Sequence, residues 1–164
     1  MSPYEAEKRI IPWISKKKIL EIGRVADMVW IIFGGSEDTS CCMDTRGNKE
    51  YSLHIQCTFR LLKNGEILLG NTDIYCAGEG ESEIISSYTA GMSLFDQRAK
   101  YFNSLLPLTV TGINVAENGD IRISLQDSFL LEVLVAGAMP REFWRVFQRG
   151  DLNSHVVYES ESIV

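Results

Sequence analysis

The stretch that decides the fold runs Tyr51-Ser52-Leu53-His54-Ile55-Gln56-Cys57-Thr58-Phe59-Arg60-Leu61. Apolar side chains occupy its odd-numbered positions, and polar side chains occupy the even ones. A period of two places alternate side chains on opposite faces of an extended strand. The pattern therefore predicts one long strand over residues 51–61, with an apolar face packed on a core and a polar face directed outward.

The next turn predicts the partner of this strand. Lys63-Asn64-Gly65-Glu66 contains Asn-Gly, the dipeptide that most favours a two-residue hairpin turn. Residues 67–75 are predicted to return as the antiparallel partner, with a bulge near Gly70. On that strand Asp73 and Tyr75 would share one face, and Asp73 would lie within reach of Arg60.

Two helices are predicted. Ser2-Pro3-Tyr4-Glu5 has the form of a helix start, and Pro12 is expected to end that helix after about two turns. Ser93 is expected to cap a second helix over residues 94–106, which carries an apolar stripe at helical spacing and which Pro107 would stop. The second helix is the principal one and would pack on the sheet.

Further strands are predicted before and after these elements. The run 25–33 is apolar at consecutive positions after Asp27, which is typical of a strand buried from both sides. Residues 140–148 fit both a helix and a strand. The remaining predicted strands are residues 19–22, 108–116, 120–125, 129–135 and 155–159. We therefore expect an α+β protein: a mainly antiparallel β-sheet, folded as a sandwich or half-barrel, with one principal helix and a short N-terminal helix.

Length and charge narrow the function classes. The chain has 164 residues, which suits a single domain over residues 1–164. Its formal net charge is −6, and its only basic cluster is Lys16-Lys17-Lys18, a run typical of a solvated strand edge. Nucleic-acid binding needs clustered cations and is not predicted. The longest apolar run, residues 28–33, is too short for a bilayer, and residues 1–11 show no targeting signal, so we expect a cytoplasmic protein.

The cysteines predict neither a metal site nor a nucleophile. Cys41 and Cys42 are adjacent, Cys57 and Cys76 are isolated, and the two histidines offer no zinc-ligand spacing. Free thiols are favoured over a strained Cys41–Cys42 bond or a Cys57–Cys76 bond. His54 and Cys57 would point to opposite faces of one strand and could not pair. No catalytic residue and no cofactor are predicted.

The polar face of residues 51–61 is the candidate site. We predict a binding surface built from five side chains: His54, Gln56, Arg60, Asp73 and Tyr75. Such a row can bind a protein, a peptide or an anion through hydrogen bonds and ion pairs, although the solvated face of an antiparallel sheet gives the same alternation. The alternative is a small-ligand-binding protein or an enzyme with a pocket near His54, Arg60 and Asp73.

Several blocks of the chain resemble a group of small bacterial proteins without an established activity. The resemblance covers residues from about 20 to the end, and its blocks are residues 23–34, 53–60, 67–75, 93–96, 119–123, 142–147 and 155–157. Thr58 and Phe59 stand where members carry Pro and often Trp. The resemblance favours a strand over 140–148. In size and layout the group is similar to immunity proteins that neutralise bacterial toxins, which implies a non-enzymatic, protein-binding function.

Overall fold

The structure is a computed structural model that describes residues 3–36, 49–80 and 91–159. It confirms an α+β fold with a short N-terminal helix, one principal helix and a large antiparallel sheet. The helices are α1 (Pro3–Ile14) and α2 (Leu94–Ser104). The strands are β1 (Lys17–Val25), β2 (Met28–Ser36), β3 (Tyr51–Ile55), β4 (Thr58–Lys63), β5 (Glu66–Gly70), β6 (Leu108–Val115), β7 (Ile121–Leu125), β8 (Phe129–Leu134), β9 (Glu142–Gln148) and β10 (His155–Glu159).

The sheet consists of two five-stranded halves. The histidine half, named for His54, has the strand order β10-β9-β3-β2-β1, and the arginine half, named for Arg60, has the order β6-β7-β8-β4-β5. Only two residue pairs, Lys18 with Thr109 and Ile19 with Leu108, join β1 to β6. Apolar side chains from both halves and both helices form one core, so the two inner faces share a single interior. No α-helix in the described ranges combines the length and apolarity needed to cross a bilayer.

The predicted strand over residues 51–61 is interrupted. β3 ends at Ile55 and β4 begins at Thr58, so the stretch contributes one strand to each half of the sheet. Between them Gln56 donates its backbone N–H to the carbonyl oxygen of Phe143 at 2.8 Å. The predicted apolar face is buried at all six positions, Tyr51, Leu53, Ile55, Cys57, Phe59 and Leu61. The alternation therefore continues through the change of strand partners, so the break is not visible in the sequence pattern.

The predicted return strand over residues 67–75 is wrong beyond Gly70. The Asn64-Gly65 turn forms as expected, with positive φ at both residues, and β5 pairs with β4. Residues Asn71–Tyr75 form a 3-10 helix instead of further strand. The Asp73 carboxylate accepts a hydrogen bond from the backbone N–H of Gly70 at 2.8 Å, the local capping bond that a short polar side chain makes at a helix start.

The predicted ends of two other elements also need correction. Helix α1 continues through Pro12 to Ile14, because Ile10 and Ile14 on either side of the proline are fully buried against the sheet and Pro12 itself is exposed. The first turn of the sheet lies at Ala26-Asp27, and Gly23 is inside β1. Lys17, expected to be solvated, is buried, and burial lowers the pKa of its amine.

The remaining predicted elements are confirmed. Ser93 caps α2 by accepting from the N–H of Asp96, and Phe95, Ala99 and Phe102 form its buried stripe. The three strands after Pro107 form with small shifts at their ends, and the ambiguous segment is strand β9. The described cysteines, Cys57 and Cys76, are free thiols; Cys41 and Cys42 lie outside the described residues.

One side-chain contact joins the two halves, and another joins the histidine half to helix α2. Trp144 of β9 is fully buried and donates its indole N–H to the carbonyl of Gly119 at 2.8 Å, in the β6–β7 turn. A Cβ at Gly119 would lie 2.2 Å from the ring of Tyr158, so only glycine fits under that ring. On the other side, Arg24 of β1 bonds both carboxylate oxygens of Asp96 at 2.8 and 2.7 Å, which fixes α2 against β1.

Candidate functional site

His54 lies on the outer face of the histidine half, at the middle of its five strands. Its cross-strand neighbours are Trp30 of β2 and Arg145 of β9. Its neighbour Ser52 lies between Ile32 and Phe147 in the same way. These side chains point away from the core because their odd-numbered neighbours, such as Leu53 and Ile55, point into it.

A hollow of about 300 Å³ opens on this outer face. Ser52, only 4% exposed, forms its floor, because it is the smallest side chain among large ones. The hollow is lined by Glu21, Trp30, Ile32, Ser52, His54, Phe147 and Arg149. We call it the outer hollow. It combines half-buried apolar and aromatic side chains with polar groups at its rim.

Gly23 determines where Trp30 lies in this hollow. A Cβ at Gly23, its partner on β1, would be 2.2 Å from the Trp30 ring. The indole therefore lies directly over the glycine backbone, a close approach that any side chain would prevent. Trp30 is half-buried although the sequence predicted that both faces of its strand would be covered. That prediction is wrong for the outer face, which Trp30 and Ile32 share.

Three rings form a row that begins in the hollow and continues beside it. His54 meets Phe147 edge-on with ring centroids 4.8 Å apart, and Phe147 stacks on His155 at 4.9 Å. Burial lowers the pKa of His54, the positive charges of Arg145 and His155 lower it further, and Glu142 opposes them. The imidazole of His54 is therefore neutral at physiological pH, where it can both donate and accept a hydrogen bond.

Charged groups at the rim are mostly paired with one another. Arg145 forms a two-point contact with Glu142, whose Oε1 also accepts from the Gln56 side-chain amide at 2.9 Å. Arg149 pairs with Glu50. The sequence-predicted residues His54 and Gln56 therefore both lie beside one ion pair of β9, because His54 is the cross-strand neighbour of Arg145 and Gln56 donates to Glu142.

Arg60 does not pair with Asp73 as predicted. Its guanidinium bonds Glu132 of β8, which Arg122 of β7 contacts from the other side at 3.0 Å. The Glu132 side chain is 4% exposed, so the two arginines neutralise a buried carboxylate on the outer face of the arginine half. Arg60 is therefore a structural residue there, separate from the outer hollow.

Asp73 and Tyr75 are not on the expected strand face. Asp73 is engaged in capping the 3-10 helix, and Tyr75, 43% exposed, lines a second cavity together with Gln56. The five predicted residues thus fall into three settings: His54 in the outer hollow, Gln56 and Tyr75 at the second cavity, and Arg60 and Asp73 in separate structural contacts. His54, Arg60 and Asp73, which were expected to line one pocket, each contact different partners.

The buried Cys57 thiol and the arrangement of possible metal ligands bear on the chemistry of the described residues. Burial raises the pKa of the Cys57 thiol to about 12, so it stays protonated and unreactive at physiological pH. Within residues 3–36, 49–80 and 91–159, no cluster of three or more His, Cys, Asp or Glu side chains could hold a metal ion. The polar groups of the hollow are suited to recognition.

Sequence reasoning missed Trp30 and Phe147, which line the hollow, and His155, which stacks on Phe147. Trp30 lay in an apolar run whose two faces look alike, and the segment with Phe147 fitted two periods. The signal for Trp30 was Gly23, because a glycine inside a strand often marks the close approach of another group. Which side chain lies over Gly23 depends on the strand register, and the register cannot be seen in the sequence.

Comparisons with known proteins supply no relative. No protein-family model matches the chain, and none of the curated proteins or solved structures matches it significantly. The site geometry and the sequence blocks are therefore the basis for a functional proposal.

Proposed function

We propose that the protein is a non-enzymatic protein-binding domain that contacts its partner through the outer face of the histidine half. One observation carries the proposal: half-buried Trp30, His54 and Phe147 surround a hollow floored by Ser52 on an outer sheet face. Interfaces concentrate their binding energy in aromatic and arginine side chains around such depressions, with polar groups at the rim. A partner side chain inserted beside Ser52 would contact both Trp30 and Phe147.

The size and openness of the hollow favour a protein over a small molecule. Its volume of about 300 Å³ is at the lower end for small-ligand pockets, which enclose most of their ligand. This hollow lies on a sheet face and is open on one side. An inserted apolar or aromatic side chain of a larger partner fits that geometry, and the paired arginines Arg145 and Arg149 would form the rim.

The partner class we propose is a basic bacterial toxin, with the protein acting as its immunity-type antagonist in the cytoplasm. The net charge of −6 supports a basic partner, because opposite charge accelerates association. The resemblance of the sequence blocks to the small bacterial family supports the immunity class. Antagonism of a toxin requires binding alone.

The test compares two double variants in affinity capture from the native cell. His54→Ala/Phe147→Ala removes the ring row of the hollow, and Ile67→Ala/Tyr101→Ala removes exposed apolar area of similar kind from β5 and α2. Loss of a central interface side chain costs about 2 kcal/mol or more, roughly thirtyfold in affinity. We expect the first variant to lose the captured partner and the second to retain it. Equal capture by both would remove the site assignment.

A further inference from the structure

The second cavity lies where the two halves of the sheet separate. The chain leaves the histidine half at Gln56 and enters the arginine half at Thr58, so neighbouring strands diverge there. A space of about 190 Å³ results, roughly six times the share of one liquid water. It is lined by Asp27, Gln56, Cys57, Thr58, Asn71, Ile74, Tyr75 and Arg141. Most of these groups are polar.

Two opposite charges line this cavity. Arg141 and Asp27 are both exposed, and among the described residues neither makes an ion pair. Arg141 and Cys57 line the same cavity, and the positive charge of Arg141 lowers the pKa of the thiol against the larger effect of burial. The cavity therefore presents a cation and an anion to one small space.

The surroundings hold both charged groups in place. The Arg141 guanidinium lies over the ring of Phe143, with its central carbon 5.1 Å from the ring centroid. Stacking on a ring leaves the N–H edges of a guanidinium free for two-point binding of a carboxylate. On the opposite side, Arg24 donates to the carbonyl of Ala26 at 2.8 Å, which anchors the turn that carries Asp27.

The uncharged side chains of the cavity can form hydrogen bonds with a ligand and carry no ionised group. Asn71 and Thr58 present an amide and a hydroxyl, and Tyr75 presents a half-exposed phenol. Cys57 remains a neutral thiol at the floor. The 3-10 helix that carries Asn71 and Tyr75 is fixed at its start by the Asp73 cap and at its end by the bond from the Leu94 N–H to the Cys76 carbonyl at 2.9 Å.

We propose that this cavity binds a small zwitterion of the free amino-acid class. Arg141 would hold the carboxylate, Asp27 the ammonium group, and Thr58, Asn71 and Tyr75 the polar remainder. The limited volume restricts the ligand to about ten or fewer non-hydrogen atoms, well below drug size. The site is separate from the outer hollow, so it stands independently of the protein-binding proposal.

The test uses L-serine and the two molecules that each lack one of its charges. 3-Hydroxypropanoate keeps the carboxylate and ethanolamine keeps the ammonium group. In an amide NMR titration of the full chain, we expect serine to shift the signals of Thr58 and Asn71 and to bind up to about fivefold more tightly than either analogue, since each exposed charge contact contributes up to about that factor.

Variants assign the two charges. Arg141→Gln should weaken serine about fivefold and leave ethanolamine unchanged, and Asp27→Asn should weaken serine similarly and leave 3-hydroxypropanoate unchanged. Arg98→Gln, at an exposed arginine on α2, is the matched control and should bind serine normally. Absence of serine-induced shifts at the cavity, binding of either analogue as tight as serine, or unchanged affinity in both cavity variants would overturn the proposal.

Discussion

The outer faces of the two half-sheets use their polar residues in opposite ways. In the arginine half, Arg60 and Arg122 surround the buried carboxylate of Glu132, and the charges satisfy one another. In the histidine half, His54 and Phe147 surround a hollow whose floor is the small Ser52. One continuous stretch of alternating residues supplies both faces. A polar residue on a sheet face therefore indicates a contact site only where its neighbours leave space.

The largest expected effect concerns the contact that ties the histidine half to α2. Arg24→Met should lower the free energy of unfolding by about 3–5 kcal/mol, because it strands the largely buried Asp96 carboxylate. Arg98→Met, at an exposed ion pair on the same helix, should cost less than about 1 kcal/mol. Urea denaturation measures both. Equal losses of unfolding free energy in the two variants would contradict the role of burial in the Arg24–Asp96 pair.

The same pair predicts acid sensitivity. Burial alone would raise the pKa of Asp96, but hydrogen bonds from Arg24 and Ser93 hold it below its usual 3.8. A carboxyl whose folded pKa is lowered contributes stability above the unfolded pKa, and that contribution is lost as the pH falls through the folded value. Wild-type stability should therefore decline below about pH 4. Asp96→Asn should show less of this decline, and an unchanged acid profile would contradict the assignment.

The next largest effect tests the structural role of the arginine half. Arg60→Ala/Arg122→Ala should lower the free energy of unfolding by about 2–3 kcal/mol, because Glu132 is left buried without its cations. Adding Glu132→Leu should recover most of that loss, since a buried apolar group needs no partner. Partner binding should be retained throughout. Loss of partner binding with stability intact would move the contact site to this half.

A smaller effect tests the position of Trp30 in the histidine half. Gly23→Ala should displace the indole and cost about 1–2 kcal/mol, because the added methyl group overlaps the ring. Gly112→Ala, where a Cβ meets Ser124 at an ordinary 3.6 Å, should be nearly neutral. Unfolding experiments give the energies, and tryptophan fluorescence reports on the ring. An unchanged spectrum in the Gly23 variant would contradict the close contact.

The smallest effect is the pH response of His54. Burial, Arg145 and His155 lower its folded pKa below 6.5, so the unfolded chain binds the proton more readily. Stability is then full above pH 6.5 and falls as the pH drops toward the folded pKa. His54→Gln should flatten the stability profile in this window. The measurement is urea denaturation from pH 8 to pH 5, and a wild-type profile in the variant would assign the slope elsewhere.

The sequence predicted what depends on local pattern. The alternation at residues 51–61 identified all six buried side chains, Asn64-Gly65 identified the hairpin, and Ser93 identified the start of α2. The alternation also gave His54 an outward direction. Each of these follows from periodicity or turn chemistry within a few residues.

What the sequence did not predict depends on tertiary register. Arg60 pairs with Glu132, seventy-two residues away, because β8 lies beside β4, whereas the nearer Asp73 is turned into a helix cap. The break at Gln56 arises because β3 pairs with β9, whereas β4 pairs with β8. Pro12 remains in a helix because buried isoleucines on both sides outweigh its local cost.

Site-specific photo-crosslinking in the native cell distinguishes the two outer faces as contact surfaces. A photoreactive residue replaces Arg149 at the rim of the outer hollow in one variant and Ile67 on the arginine half in the other. We expect one discrete protein adduct from position 149 and none from position 67. Adducts from position 67 alone, or equally from both, would contradict the assignment of the contact face to the histidine half.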